Sequence, residues 1–172
     1  MILIISTCKE KLSELEFIEP LKKIAGICRV VSSADIDKKE IIKAEKIIIS
    51  GTALKDFDYL NQDFEWLKKI DKPILGICAG MQVICKTFGG ELKDAKNIGV
   101  KKTTVVKQNK LVSEDFNAYF LHTKKIVGGD FDVIAESGEF AAIIKHESKE
   151  IYGCIFHPEV LNPEIIANFV QK

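Results

Sequence analysis

The stretch PILGICAGMQ, residues 73–82, limits what this chain can fold into more than any other segment. Its apolar first half predicts a strand, and a helical pattern follows over 79–88. Cys78 therefore lies on the turn between them, with Gly76 two residues before it and Gly80 two residues after. A tight turn brings other backbone close to the cysteine, and glycine leaves room for it. The spacing is that of a nucleophile elbow, and a buried cysteine in an ordinary turn is the alternative.

Short apolar runs alternate with helical segments in the first half of the chain. The runs predict strands at 2–6, 27–31, 46–50 and 73–77. Helical spacing covers 11–25, 35–44 and 64–70, with Pro20 kinking or restarting the first helix. This alternation indicates an α/β fold with a doubly wound, mostly parallel sheet of the flavodoxin-like kind. Ligands of such sheets bind beyond the carboxyl ends of the strands, where we expect both Cys78 and the Gly51-Thr52 loop.

The second half of the chain has a different character. Segments rich in β-forming residues predict antiparallel strands and hairpins at 100–106, 116–121, 131–136, 140–144 and 151–156. Residues 163–170 then predict an amphipathic helix that begins near Pro163. The 172 residues suffice for one hydrophobic core and are too few for two, so we expect a single domain over 1–172.

Composition argues against several classes of function. Lys and Arg number 25, Asp and Glu also number 25, and Arg29 is the one arginine, so no nucleic-acid surface is expected. No apolar run approaches the roughly 20 residues of a membrane-spanning helix. The five cysteines include no C-x-x-C pair, which argues against a zinc or thioredoxin-type site. We expect a protein of the reducing cytoplasm that needs no metal or cofactor.

A second candidate part of a site is the segment FHPE, residues 156–159. Proline disfavours a helical conformation for His157, and in an extended chain His157 and Glu159 would project to the same side. A histidine that acts as a base needs a partner that holds its tautomer, and a carboxylate can do this. Together with Cys78 these residues are the three parts of a thiol acyl-transfer site. Without Cys78, the simplest interpretation of the segment is the end of a strand with exposed polar residues.

The two remaining histidines are weaker candidates. His122 follows a predicted strand and could reach the same edge of the sheet as Cys78, which makes it the competitor of His157 as the base. No acid stands in a comparable position beside it. His146 lies between two charged residues, and this predicts a solvated turn.

Three motifs together resemble those of the class I glutamine amidotransferases with a Cys-His-Glu triad. PILGICAGMQ is similar to the nucleophile motif of that family, with a Gly-Gly pair at 89–90 at the usual distance beyond it. YGCIFHPEV, residues 152–160, is similar to the C-terminal motif. IIISG, residues 47–51, resembles the strand and loop that supply part of the oxyanion hole. Their order and spacing extend the resemblance over the whole chain, and it implies the amidotransferase type of doubly wound sheet.

The resemblance implies a role for each triad residue. Cys78 would be the nucleophile, His157 the base and acid, and Glu159 the carboxylate that orients the histidine. The thiolate would attack the side-chain amide carbon of glutamine, and His157 would protonate the departing ammonia. Water would then release glutamate from the γ-glutamyl thioester.

The resemblance also assigns the oxyanion hole. The N–H of Ala79 would be one donor, the loop at Gly51 and Thr52 would supply the other, and Gln82 matches a position that contacts the bound glutamine. Family members commonly carry Ser-Gly-Gly-Pro where this chain has SGTA, residues 50–53. A β-branched residue resists a positive φ, so the loop is where this sequence departs from the family pattern.

The short length of the chain and its segments GMQ, residues 80–82, and FHPEV, residues 156–160, resemble stand-alone glutaminase subunits such as that of GMP synthase. This implies a partner, which would be a separate synthase subunit, and a place in purine biosynthesis. Two alternatives stay open. One is a hydrolase of another γ-glutamyl or peptide substrate that needs no partner. The other is a regulatory or binding protein that keeps the fold without turnover.

Overall fold

A computed structural model describes residues 1–171 and contains one nine-stranded sheet. The strands are β1 (Ile2–Ser6), β2 (Cys28–Ser32), β3 (Lys46–Ile49), β4 (Ile74–Ile77), β5 (Glu91–Val105), β6 (Phe116–Val127), β7 (Phe131–Ser137), β8 (Phe140–His146) and β9 (Ile151–Cys154). The α-helices are α1 (Glu14–Phe17), α2 (Glu19–Ala25), α3 (Lys38–Lys43), α4 (Ala79–Thr87), α5 (Pro158–Leu161) and α6 (Pro163–Gln171). Short 3-10 helices lie at Lys11–Ser13, Ser33–Asp35, Asp58–Asn61 and Glu65–Lys69.

The sheet has a parallel half and an antiparallel half. Its strand order is β2-β1-β3-β4-β9-β8-β7-β5-β6. Strands β2, β1, β3, β4 and β9 pair in parallel, and the pairs from β9 to β6 are antiparallel. The predicted α/β fold with a parallel core and an antiparallel C-terminal portion is confirmed. The prediction that 151–156 belongs wholly to the antiparallel part is wrong, because β9 is parallel to β4 and joins the two halves.

The register between β4 and β9 positions the site. Ile77 lies opposite Cys154, so the two strands end level with each other at one edge of the sheet. The chain leaves β4 into Cys78 and leaves β9 towards His157. All four residues of β9 are buried, as a strand in the middle of a sheet requires. The parallel pairing therefore brings together two segments that lie far apart in the sequence.

Each face of the sheet packs against its own hydrophobic core. Ile2 and Ile4 of β1 contribute to one core, and Leu3 and Ile5 contribute to the other, as alternation along a strand requires. Helices α2 and α6 pack into the first core and α3 into the second, while α4 packs into the second and contributes Met81 to the first. Among residues 1–171, no helix has the length and apolar character needed to cross a membrane.

Several elements differ in extent from the prediction. Strands β5 and β6 have 15 and 12 residues and extend well beyond the predicted 100–106 and 116–121. Much of β5 is polar and exposed, so it lacks a hydrophobic pattern, and its pairing with β6 fixes it as a strand. The helix predicted at 11–25 is broken before Pro20, which lies in the first turn of α2. The helix predicted at 64–70 is 3-10 in character.

The N-terminus of α4 packs unusually close to the sheet. A Cβ placed on Gly80 would lie 2.2 Å from the carbonyl oxygen of Ile49 in β3. A Cβ on Gly76 would lie 2.5 Å from the carbonyl carbon of Gly80. Real Cβ atoms do not approach backbone so closely, so both positions need glycine. The G-x-C-x-G spacing therefore reflects direct contact between β3, β4 and the first turn of α4.

We expect Gly80→Ala to destabilise the protein severely, since the added methyl meets rigid backbone. The loss in free energy of unfolding should reach or exceed about 3 kcal/mol, the upper range of overpacking costs. Gly26→Ala is the matched control, because Gly26 has a φ of 73° but open space around its Cβ position. That change should cost only about 1–2 kcal/mol of backbone strain. Denaturant unfolding followed by Trp66 fluorescence measures both, and equal losses would contradict the packing argument.

Candidate active site

Cys78 has the backbone conformation of a nucleophile elbow. Its φ of 48° and ψ of −99° make it the one non-glycine residue with positive φ among residues 1–171. Its N–H donates to the Cys154 carbonyl at 2.7 Å, which ties the turn to the end of β9. The side chain is 5% exposed, and its thiol donates to the Leu121 carbonyl at 3.7 Å. Strain of this kind persists where surrounding structure enforces it, and α4 directs its positive N-terminal end at this residue.

His157 and Glu159 form a buried pair beside Cys78. Nδ1 of His157 lies 2.7 Å from Oε1 of Glu159, and each side chain is 1% exposed. The His157 N–H donates to the Tyr119 carbonyl at 2.9 Å, and the ring packs on Phe17 with 5.4 Å between ring centroids. With Nδ1 held by the carboxylate, Nε2 is the nitrogen left for proton transfer.

The pairing of His157 with Glu159 was expected, but the reason given from the sequence is wrong. Glu159 does not lie in extended chain, because Pro158 begins α5 and Glu159 is its second residue. Proline is well tolerated at the first position of a helix, where its missing N–H would have no partner anyway. His157 itself stays non-helical, with a φ of −105° and a ψ of 88°.

The loop after β3 lies against the triad. A Cβ on Gly51 would be 2.6 Å from His157 Cε1 and 3.4 Å from the Cys78 Cβ, so only glycine fits there. Thr52 follows, is 4% exposed, and does not have a positive φ. The β-branched side chain is thus compatible with the loop, which removes the conflict expected from the sequence. The N–H groups of Thr52 and Ala79 donate to no protein acceptor within residues 1–171 and are free to bind a ligand.

A narrow cleft opens beside the cysteine. Four of the predicted residues line it, namely Thr52, Cys78, Ala79 and Gln82. Gln82 is 2% exposed, and its Oε1 accepts a hydrogen bond of 2.6 Å from the hydroxyl of Tyr59. Burial raises the pKa of Tyr59, which keeps it a donor.

Tyr59 was not predicted as a site residue. It lies in the 3-10 helix Asp58–Asn61, within a loop whose aromatic and acidic residues show no regular period. The hydrogen bond to Gln82 joins positions 23 residues apart, and no local pattern reports such a contact. The orientation of the Gln82 amide, and thus what its NH₂ group offers to the cleft, depends on this tyrosine.

Comparison with known proteins decides the family. The sequence model of "Glutamine amidotransferase class-I" matches residues 20–171. The chain belongs to the class-I glutamine amidotransferases. The family match covers both motif segments that carry Cys78, His157 and Glu159.

Several relatives of this amidotransferase are named as GMP synthases or their subunits. A glutamine-hydrolyzing GMP synthase subunit of Methanococcus aeolicus is 35% identical over 80% of this chain and 78% of its own length. The glutamine-hydrolyzing GMP synthase of Staphylococcus saprophyticus is 32% identical over 86% of this chain, but only 31% of its own length is matched. The crystal structure of a putative GMP synthase subunit from Thermoplasma acidophilum has a TM-score of 0.82 and 24% identity, covering 99% of this chain and 92% of that one. This last likeness confirms the fold.

The two other histidines of the amidotransferase have different surroundings. His122 is 2% exposed and lines the cleft, and neither ring nitrogen has a hydrogen-bond partner among residues 1–171. Burial lowers its pKa to about 4, so it is neutral at pH 7. The predicted solvated turn at His146 is wrong: the residue is 6% exposed at the end of β8, and its Nδ1 accepts from the N–H groups of Ser148 and Lys149.

The protonation of His157 follows from its neighbours. Burial lowers its pKa, but the charge of Cys78 and the pairing with Glu159 outweigh burial and hold the pKa well above its usual value. In this structure the Cys78 thiol points at the Leu121 carbonyl, so Nε2 of His157 has no hydrogen-bond partner within the described chain.

We expect an NMR titration of the three histidines to separate them clearly. His157 should titrate above its ordinary value near 6.5, and His122 at about 4. Cys78→Ala and Glu159→Gln should each lower the pKa of His157, since each removes a group that stabilises the imidazolium. Cys85→Ala, which removes another buried cysteine from α4, is the control and should leave the pKa of His157 unchanged. If Cys78→Ala leaves the pKa of His157 unchanged, Cys78 does not stabilise the imidazolium.

His122 should also make stability depend on pH. Its pKa is about 4 in the folded protein and near 6.5 when unfolded, so between these values the unfolded chain binds the extra proton. The free energy of unfolding should therefore fall as the pH falls from 6.5 to 4, by up to roughly 3 kcal/mol from this group. His122→Leu should show a shallower dependence in denaturant unfolding measured across this range. Parallel curves for the two proteins would contradict the assignment.

Proposed function

We propose that this amidotransferase hydrolyses glutamine through Cys78, His157 and Glu159. The observation that carries the proposal is the buried pair of His157 and Glu159, 2.7 Å apart, beside a cysteine held at positive φ. A thiol nucleophile, a base and a group that orients the base are the three parts of an acyl-transfer site.

The reaction proceeds in two halves. His157 Nε2 takes the Cys78 proton, the sulfur attacks the side-chain amide carbon, and the carbonyl oxygen gains the negative charge. The tetrahedral intermediate expels ammonia, which receives the proton from His157, and a γ-glutamyl thioester remains. A water molecule then gives a proton to His157 and attacks the thioester, and the sulfur leaves with that proton as glutamate is released.

The N–H groups of Ala79 and Thr52 are the proposed oxyanion donors. Ala79 is the first residue of α4, so its N–H has no acceptor within the helix, and Thr52 lines the cleft on the opposite loop. Each such donor contributes on the order of 3 kcal/mol of transition-state stabilisation. A loop without backbone strain at Thr52 favours an active enzyme over a regulatory protein that has lost turnover.

We further propose that the ammonia passes to a separate synthase subunit, in the manner of GMP synthase. The Methanococcus relative, itself a subunit, matches this chain over most of both lengths, whereas the longer Staphylococcus relative matches over less than a third of its own. The synthase activity would then lie on a second protein, and glutamine would be its source of nitrogen.

The test measures glutamate release from glutamine, by the protein alone and with the synthase subunit of a GMP synthase plus its nucleotide substrates. We expect glutamate release that depends on Cys78, with Cys78→Ala reducing kcat at least about 10⁴-fold. Cys85→Ala controls for loss of a buried thiol and should stay active.

Several results would contradict the proposal. No glutamate from any pairing with the thiol intact would overturn glutaminase activity. Turnover of other γ-glutamyl amides without turnover of glutamine would favour a hydrolase of a different substrate. Activity that survives Cys78→Ala would overturn the assignment of the nucleophile, and ammonia transfer would be excluded if GMP forms only when ammonium salts are added.

A further inference from the structure

The segment after β1 is hydrogen-bonded to the loop proposed to form the oxyanion hole. Thr7 is 2% exposed, and its Oγ1 lies 3.0 Å from the Ser50 carbonyl oxygen and 3.1 Å from the Gly51 carbonyl oxygen. One hydroxyl has one proton, so the two acceptors share it. The Thr7 N–H donates to Ser50 Oγ at 3.2 Å, and Ser50 Oγ donates to the Gly51 carbonyl at 2.8 Å. Two buried hydroxyls therefore hold the Gly51 carbonyl, and the Cys8 thiol also donates to it at 3.7 Å.

Holding this carbonyl fixes the next N–H. The Gly51 carbonyl and the Thr52 N–H belong to one peptide unit, which is planar and trans, so the two bonds point in opposite directions. The hydroxyls of Thr7 and Ser50 lie on the carbonyl side. The Thr52 N–H is directed away from them, and Thr52 lies in the wall of the cleft that Cys78 also lines. Rotation of this peptide would break the hydrogen bond from Ser50 Oγ and leave the Thr7 hydroxyl with the Ser50 carbonyl alone.

The same segment also holds the other side of the loop. Thr52 Oγ1 donates to Asp56 Oδ2 at 2.7 Å, and the N–H of Lys9 donates to the same oxygen at 2.8 Å. The Thr52 side chain is thus anchored through Asp56 to a residue two positions beyond Thr7. Residues 7 and 9 bind the loop on both flanks of the Gly51–Thr52 peptide.

We propose that Thr7 is a positioning residue for glutamine hydrolysis. It fixes the Gly51–Thr52 peptide in the orientation in which the Thr52 N–H donates to the oxyanion. The inference rests on the proposed function. Thr7 acts through this peptide and not by contact with the reacting atoms. Where family members commonly have a proline, which fixes φ, this chain has Ala53, which does not. The hydroxyl of Thr7 restricts the loop instead.

The experiment compares Thr7→Val and Thr7→Ser in steady-state glutamine hydrolysis. Valine has nearly the shape of threonine without the hydroxyl, so kcat should fall about 10- to 100-fold with KM changed less than about threefold, because the lost interaction forms in the transition state. Serine keeps the hydroxyl and should restore kcat to within about threefold of wild type. Thr87→Val, which removes a buried hydroxyl that bonds the Val83 carbonyl within α4, is the matched control and should keep full activity.

Alkylation of Cys78 by iodoacetamide separates positioning from a general structural effect. This reaction needs the thiolate and no oxyanion hole, so Thr7→Val should be alkylated at the wild-type rate. An alkylation rate that falls together with kcat would show damage to the nucleophile and overturn the proposal. Wild-type kcat in Thr7→Val would overturn it too.

A second variant covers the case in which Thr7→Val does not fold. Ser50→Ala removes the other hydroxyl donor to the Gly51 carbonyl and should also lower kcat with little change in KM. An unaffected kcat in Ser50→Ala would contradict the inference. A wild-type protein inert to glutamine would overturn the proposed function and this inference together, whereas an active wild type with equally active variants would overturn this inference alone.

Discussion

The close approach of α4 to β3 is the contact on which the site depends. Gly80 packs on the Ile49 carbonyl, and its N–H donates to the Ser50 carbonyl at 3.2 Å. Because the helix begins so close to the strand end, the chain turns within one residue, and Cys78 takes the positive φ that this requires. The same contact places the Ala79 N–H beside the loop that follows β3. The proposed nucleophile and the Ala79 donor are therefore positioned by a single helix–strand contact, next to the loop that carries Thr52.

The buried pair of His157 and Glu159 is better explained by its proposed role in proton transfer than by a contribution to the free energy of folding. Removing two ionisable groups from water is costly, and the mutual attraction of a buried pair often does no more than offset this. The pair is nevertheless almost fully enclosed, with α5 carrying the carboxylate and the end of β9 leading into the histidine. The carboxylate holds the His157 ring in one tautomer and one orientation. The proposed proton transfer to and from Cys78 needs both.

The sequence was sufficient for the parts of the site that local rules govern. Turn sterics predicted the elbow at Cys78, and a short motif predicted the pairing of His157 with Glu159, although the extended chain expected for that pair is a helix start. The parallel pairing of β9 was missed, since four buried residues look the same in either direction. Tyr59 and Thr7 were missed because their hydrogen bonds join segments 23 and 44 residues apart. Contacts of this kind arise from the assembled sheet and have no period to detect.

The surroundings of His122 and His157 also favour His157 as the proposed base. A base in this site must accept the thiol proton and remain stable as an imidazolium while the amide is attacked. Burial lowers the pKa of His122 to about 4, and no carboxylate within residues 1–171 is hydrogen-bonded to its ring, so its imidazolium is unfavourable at pH 7. His157 is equally enclosed, yet Cys78 and Glu159 raise its pKa despite burial. His122 lacks the interactions with Cys78 and Glu159, and this difference supports His157 as the proposed proton acceptor.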